Sequence, residues 1–496
     1  MFSNHSLKEQ KLPTERKITM NKRKIITAIL TAACIVSAGS CGGSTGRPDT
    51  TASSGDSTTT TAASTTTTPP ATLNEEQKEA VDEIEVELPE LENKEVRLLA
   101  CFDLNPDEGK VKSVALEMFE TKLGGKIVTD KCAWGSRYDK LSTYVTSGDS
   151  PDMFSAEDLD IIPGKVLAGA FQSMDKYVDY DSELWAPVKD LNDQFSLNGR
   201  HYLGLTSTDA GTVMIYNKKT IEENGLDDPA KLVEEGNWTW DTLYDMLSMF
   251  CSPGDGKYGL DCWEFEPNFA LTCGVPYIGL KDGKLVSNLE DPMIMELQDY
   301  FVKLKRAEMP FPKSDNNWQE APERIKTGDT LFFGKGAYAL FEPQTLAQFG
   351  EMEDIMFVPM PACPKADAWY LPSVVKGFAI PTGAKNPEGT AAYLNCVMIC
   401  RDNEKVLQIE KDQLFDDYGW TDEMYDMLLT TRELTAAHPV FDYMKTVNDN
   451  VYDLINNPSK ESYNQGTPWT ESVEEIKFAV QSELDAANEK LAALTD

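Results

Sequence analysis

Three short clusters of polar and aromatic residues stand directly after stretches that read as strands. Asp103, Asn105 and Asp107 follow the apolar run from Val96 to Phe102, Trp134 follows Lys126 to Thr129, and Ser155, Glu157 and Asp158 follow Pro151-Asp152-Met153-Phe154. Carboxylates and amides exchange hydrogen bonds with hydroxyl groups, and an aromatic face packs on flat C–H surfaces, so this set suits a hydroxyl-rich molecule such as a sugar. Paired acids could also hydrolyse a glycosidic bond. No recognisable glycosidase pattern accompanies them, and the sequence contains neither H-E-x-x-H nor G-x-x-x-x-G-K-[ST]. Asp103-x-Asn105-x-Asp107 mimics the start of a calcium loop, but Glu108 occupies the turn position that wants Gly and Val114 replaces the terminal Glu. No metal or other cofactor is therefore expected, and no catalytic residue.

Such residues need a scaffold that sets strand ends side by side. Val111, Val114, Ala115, Met118 and Phe119 mark a helix that Gly124-Gly125 ends, and Tyr138, Leu141, Tyr144 and Val145 mark a second from a Ser136 cap. With the three strands this predicts a parallel βαβαβ unit, whose ligands sit beyond the carboxyl ends of the strands. A second αβ region begins near Thr212 with the strand Val213-Met214-Ile215-Tyr216. Thr239 reads as an N-cap, with Asp241 in the first turn and Leu243, Met246, Leu247 and Phe250 as the buried stripe of the helix that follows. Trp238, Trp240, Trp420 and Trp469 read as packing residues. A last helix runs from about Glu471 to Leu491.

With 496 residues and nine Trp the chain can bury the cores of two ordinary domains. Its formal charge of -36 argues against nucleic acid and anionic surfaces as partners. Residues 1–40 are net basic, so the remainder is still more acidic. Lys22, Arg23 and Lys24 precede an apolar run from Ile25 to Ala38 that ends in Ala38-Gly39-Ser40-Cys41, the pattern of a bacterial lipoprotein signal. Cys41 is the expected lipidated residue, with Cys34 the alternative acceptor and Met20 the expected start of translation. Residues 41–95, Thr- and Ser-rich and then acidic, read as a flexible tether, with the folded body starting near Val96. Eight further cysteines show no metal-finger spacing; Cys101 with Cys132 and Cys396 with Cys400 could pair, and most read as buried small side chains.

Six segments, in order, resemble the extracellular solute-binding proteins of sugar-type ABC transporters, the maltodextrin-binding-like group. They are "YDKLSTYVTSGDSPDMF", "GAFQSMDKYV", "DQFSLNGRHYLGL" with "VMIYNKKTIEENGLDDP", "NWTWDTLYDML", "GKGAYALFEPQ" and "VKGFAIPTGAKNPEGTAAYL". The resemblance implies an α/β, two-lobed periplasmic-binding-protein-like type II fold with a hinge and an inter-lobe cleft. Chain crossings fall near Asp209 to Thr212 and Leu371 to Lys376, making lobe 1 of residues 96–210 plus 376–433 and lobe 2 of residues 211–375 plus 434–496. It also implies that "WEFEPNFAL" carries Trp263, Glu266 and Asn268 to the ligand. Glu342 and Gln344 stand where relatives often carry G-x-W, and Trp369 and Tyr370 could supply the missing ring.

The implied function is capture of a carbohydrate, an oligosaccharide for preference, by a monomeric, lipid-anchored receptor outside the cell that hands it to ABC permease subunits without altering it. The alternatives are the same fold binding a peptide or polyamine, a surface protein that adheres to polysaccharide, and a secreted glycoside-active enzyme.

Overall fold

The computed structural model describes residues 75–84, 90–105, 112–157, 159–262, 265–317 and 319–493. The signal and tether with Cys34 and Cys41, and the site candidates Asp107, Asp158 and Trp263, lie outside the described residues.

Two sheets organise the chain. The strands are β1 (Glu95–Ala100), β2 (Lys126–Lys131), β3 (Met153–Ser155), β4 (Gly204–Ala210), β5 (Thr212–Asn217), β6 (Tyr258–Cys262), β7 (Ile278–Lys281), β8 (Lys284–Ser287), β9 (Thr330–Gly336), β10 (Ile355–Pro359), β11 (Leu371–Ala379) and β12 (Pro439–Val440). The first sheet runs β12-β11-β3-β1-β2, with β4 also on β11; the second runs β10-β5-β9-β6; β7 and β8 form a hairpin.

The predicted βαβαβ unit is present. β1 lies parallel to both β2 and β3, pairing Leu98 with Thr129 and with Met153. Such a strand is covered on both faces. Leu99 accordingly enters one hydrophobic cluster while Val96, Leu98 and Ala100 enter the other. The first crossover helix, Val114–Leu123, starts where Ser113 accepts from the Leu116 N–H and stops at Gly124, whose φ of 63° closes the last turn onto Phe119. The second, Arg137–Ser147, departs from expectation at its start. Ser136 does not cap it; the residues Trp134–Ser136 form a 3-10 turn, and the Ser136 hydroxyl donates back to the Ala133 carbonyl at 3.2 Å. Thr239 is the N-cap of Trp240–Phe250, accepting from the Thr242 N–H.

The chain passes between the sheets at two adjoining places. β4 ends the first passage at Ala210 and β5 begins in the other sheet at Thr212; β10 leaves the second sheet at Pro359 and β11 joins the first at Leu371. The passages touch: the Gly211 N–H donates to the Pro372 carbonyl at 2.7 Å, and a Cβ on Gly211 would stand 3.3 Å from the Val374 side chain. After β12 the chain is pinned to the second sheet's side by Asp442, which accepts from the backbone N–H groups of Tyr277 (2.6 Å) and Met444 (2.7 Å). The helix Asp449–Gln465 then packs on Pro292–Arg306, where Gln298 donates to Ser459 at 2.9 Å. The final helix is Trp469–Ala493.

Trp238, Trp240, Trp420 and Trp469 are all buried, each donating its ring N–H: to the carbonyls of Pro359, Leu340 and Leu289, and, for Trp240, to Thr272. All eight described cysteines are thiols, five of them buried; burial pushes Cys396 up to about 12 and Cys251 up to about 11.

The packed body begins earlier than Val96. A helix over Glu75–Glu83 lies against Val114–Leu123 and Glu404–Tyr418, with Ala80 and Val81 buried and Glu83 paired with Lys405. Glu79, Asp82 and Glu83 face water while two small apolar residues pack inward. Val81→Asp should therefore lower stability by about 2 kcal/mol or more, because it buries an unpaired carboxylate; Glu79→Gln on the exposed face should leave the urea midpoint unchanged.

Candidate functional site

The carboxyl ends of β1, β2 and β3 on one side, and of β6 and β9 on the other, carry loops toward the segments that join the sheets. On the first side, Asp103 closes the turn after β1. Its Oδ1 accepts from the Asn105 backbone and side chain (3.0 Å each) and from the Thr129 hydroxyl (2.6 Å), and Lys131 stands 3.8 Å from Oδ2. Partial burial works to raise this carboxyl, but those donors outweigh it and hold it below the usual range. Asp103 thus spends one oxygen on local structure.

Trp134 is half-buried after β2, with the Arg137 guanidinium 3.7 Å over its ring. Arg137 also donates to the Trp134 carbonyl at 2.6 Å and pairs with Asp160 at 2.8 Å. The cation and the buried acid hold the indole where the 3-10 turn places it.

Two ion pairs lie on and beside the strands that join the sheets. Glu157, after β3, accepts at 2.8 Å from Lys376 on β11. Asp209 on β4 stands 3.6 Å from Arg432 of the helix Asp422–Ala437. Burial works to lower the Lys376 ammonium, but the charges of Glu157 and Asp209 more than offset it, so the group is held above its ordinary value and stays cationic. A β-bulge sits at this lysine: Lys376 pairs with Ser207 and Gly377 with Leu205. Gly377 is required there, since a Cβ would meet the Gly204 carbonyl at 2.2 Å.

On the second side, the 3-10 segment Ala337–Phe341 follows β9, and the Ala337 N–H donates to the Gly211 carbonyl at 3.2 Å. Tyr338 is exposed there, while Glu342 is half-buried and accepts from Thr345 at 2.6 Å; Gln344 is exposed. Lys335 pairs with Glu320 at 3.3 Å. Beyond β6, Lys313 donates to the Cys262 carbonyl at 2.8 Å. Glu266 is 2% exposed and accepts from Asn464 at 3.1 Å, so its carboxylate is enclosed by the second lobe; Asn268 is half-buried on the same short helix, Phe265–Ala270. Trp369 donates to the Met360 carbonyl at 2.9 Å and Tyr370 to Asp367 at 2.8 Å, both half-buried in the segment before β11. The Tyr370 ring lies edge-on to His438, 5.6 Å away.

Of the residues singled out from sequence, Glu157 is joined to the charge cluster; Trp134 and Asp103 hold their own turns, and Trp369 with Tyr370 borders the passage into β11. The sequence alone does not mark Lys376, Asp209, Arg432 or Tyr338 as site residues. One signal is available: Lys376 is the one charged residue in the mostly apolar stretch Leu371 to Ile380.

The chain belongs to the bacterial extracellular solute-binding proteins. The sequence pattern of that family matches residues 115–404, more than half of the chain. No curated protein matches it in sequence. Solved structures with the same two-lobed fold include an ABC substrate-binding protein from Listeria monocytogenes in complex with cycloalternan (TM-score 0.59, 14% identity, covering 80% of this chain and 99% of that one). The GacH receptor of Streptomyces glaucescens, described with acarbose, gives 0.55 at 14% identity, covering 80% and 98%. A binding protein from B. animalis subsp. lactis in complex with beta-1,6-galactobiose gives 0.53 at 16% identity, covering 80% and 98%.

The Arg137–Asp160 pair tests how Trp134 is held. Both side chains are 9% exposed, so Arg137→Met should strand a buried carboxylate and lower stability by about 3–5 kcal/mol, read as a urea midpoint. Arg137→Met combined with Asp160→Leu should recover most of that loss.

Proposed function

We propose that this protein captures a neutral carbohydrate, an oligosaccharide for preference, between its lobes and delivers it to an ABC permease without chemical change. The observation that carries this reading is the pair of ion pairs Glu157–Lys376 and Asp209–Arg432 on and beside the strands that join the lobes, with Trp369 and Tyr370 half-buried before β11. Donors, acceptors and a ring face are what a sugar requires. The proteins of this fold that hold cycloalternan, acarbose or galactobiose support it, while a relative in complex with glycerophosphocholine shows that the fold accommodates other solutes.

In this reading residues 96–210 with 376–433 form one lobe and 211–375 with 434–496 the other, and the helix Glu75–Glu83 docks on the first. A ligand touching both lobes stabilises the closed form by its difference in affinity for the two states, and the permease reads that form. Cys41 carries the lipid that keeps the monomeric receptor at the outer face of the membrane. Trp134 and Trp369 border the ligand, together with Asp103, Glu157, Asp158, Trp263, Asn268, Glu342, Gln344 and Tyr370; Glu266 acts from behind, through the helix it anchors.

A thermal-shift screen of mono- and oligosaccharides tests the function. A ligand at about 100 times its Kd adds about 2.7 kcal/mol to the folded state, so at least one neutral glycan should raise the Tm clearly, with no product released. Trp134→Ala or Trp369→Ala should shrink that rise. A flat response to sugars beside a clear rise with spermidine or a peptide would replace carbohydrate by those ligands. Separately, Cys41→Ser should move the protein from the membrane fraction to the medium or periplasm.

A further inference from the structure

We infer that Lys313 is a positioning residue for ligand binding: its ammonium ties the carboxyl end of β6 to the helix Phe265–Ala270, and the affinity for ligand depends on that positive charge. The inference rests on the carbohydrate reading above, which places Asn268 of that helix at the ligand.

The register of the second sheet locates this end of β6. Cys262 pairs with Gly334 on β9, and Gly334 pairs with Met214 on β5, just beyond Thr212 where the chain enters the sheet. β6 is an edge strand, and the chain leading to Lys313 covers its outer side. The Gly259 N–H donates to the Met309 carbonyl at 2.8 Å and the Phe311 N–H to the Leu260 carbonyl at 2.7 Å, with Pro310 opposite Leu260 in parallel. Lys313 therefore arrives level with the end of the strand, and its ammonium donates at 2.8 Å to the Cys262 carbonyl, the last of β6.

The charge matters because three carboxylates act on it. Asp261 is 1% exposed, and its oxygens accept from the N–H groups of Cys262 (2.8 Å) and Ala321 (2.7 Å). Glu266, on the helix Phe265–Ala270, is held by Asn464 of the helix Asp449–Gln465. Glu320 pairs with Lys335 of β9, and its Oε2 is enclosed with no hydrogen-bond partner among the described residues. Burial works to lower the Lys313 ammonium, but its acidic neighbours Cys262, Glu266, Asp261 and Glu320 more than offset it and hold it above its ordinary value. Burial pushes up the Cys262 thiol, the Asp261 carboxyl and the phenol of Tyr463, which faces Cys262. Enclosed acids without a cation would repel one another and draw in water. With Lys313 among them, β6, the helix and the segment at Glu320 are held together, and Asn268 with them.

The test compares Lys313→Met, Lys313→Arg and Lys313→His in the full-length protein, titrated with maltotetraose, beta-1,6-galactobiose and, for the rival reading, spermidine. Hydrogen exchange over Phe265–Ala270 is read without ligand. The two sugars have no titrating group, so a change of their affinity with pH belongs to the protein. At about pH 8, Lys313→Met and Lys313→His should bind about tenfold more weakly and exchange faster over that helix, while Lys313→Arg keeps most of the affinity. At about pH 5.5 a histidine, with an ordinary pKa of about 6.5, regains the charge; Lys313→His should then match the unaltered protein at the same pH, and Lys313→Met should not. Unliganded Tm values at both pH values show which variants are folded. If Lys313→Met does not fold, Lys313→His at the two pH values supplies the comparison. Equally weak binding by Lys313→His at both pH values, unchanged affinity and exchange in Lys313→Met, or loss of the whole fold of Lys313→His at about pH 8 in step with its affinity, would overturn the positioning role and leave the carbohydrate reading standing. If neither sugar binds the unaltered protein the carbohydrate reading falls by itself, and exchange over Phe265–Ala270 alone decides the role of Lys313.

Discussion

The structure depends on two strands that cannot be moved apart. β4 and β11 run antiparallel from Gly204–Phe378 to Ala210–Ser373, and each continues into a passage between the two sheets. Two close approaches seal them: Gly377 against the Gly204 carbonyl, and Gly211 against Pro372. Side chains at these glycines would force the strands apart and break the ladder. The joint is thus a narrow ribbon of backbone, stiff along its hydrogen bonds and able to bend where it leaves each sheet, which is what a clamping receptor needs from its hinge.

That joint also explains where the charges are. A lysine and an aspartate on neighbouring sheet strands would be costly in the middle of a lobe. Within the ladder the bulge beside Lys376 re-aims the strand, Glu157 arrives from the carboxyl end of β3, and Arg432 arrives from the helix Asp422–Ala437. Each charge finds an opposite partner, and none is fully shut from water. The segment after β9 reaches the same passage, where the Ala337 N–H donates to the Gly211 carbonyl.

Local features were readable before the fold. The Gly124-Gly125 stop, the Thr239 cap and the strand at Val213 were each written in a few adjacent residues, and the packing role of four Trp followed from their place beside helices. Ser136 misled because its hydroxyl has two nearby targets, and the Trp134 turn favours the Ala133 carbonyl over the helix N–H groups. The segment 75–83 reads as tether because its composition is acidic; its order comes from Ala80 and Val81 meeting helices that begin at Val114 and Glu404. Glu266 offered a ligand contact by position in the chain, yet Asn464, 198 residues later, encloses it.

The residues alone determined that strands and helices alternate, that the strands of the first unit run parallel, that the body is strongly acidic, and which family it resembles. These follow from periodicity, caps and short motifs, whose physics acts over a few residues. Only the tertiary structure decided which charges meet. Glu157 and Lys376 lie 219 residues apart and bond because β3 and β11 are neighbours in one sheet. Pairing of that kind depends on strand order and register, and a side chain's partner across a sheet leaves no mark in its own neighbourhood of the chain.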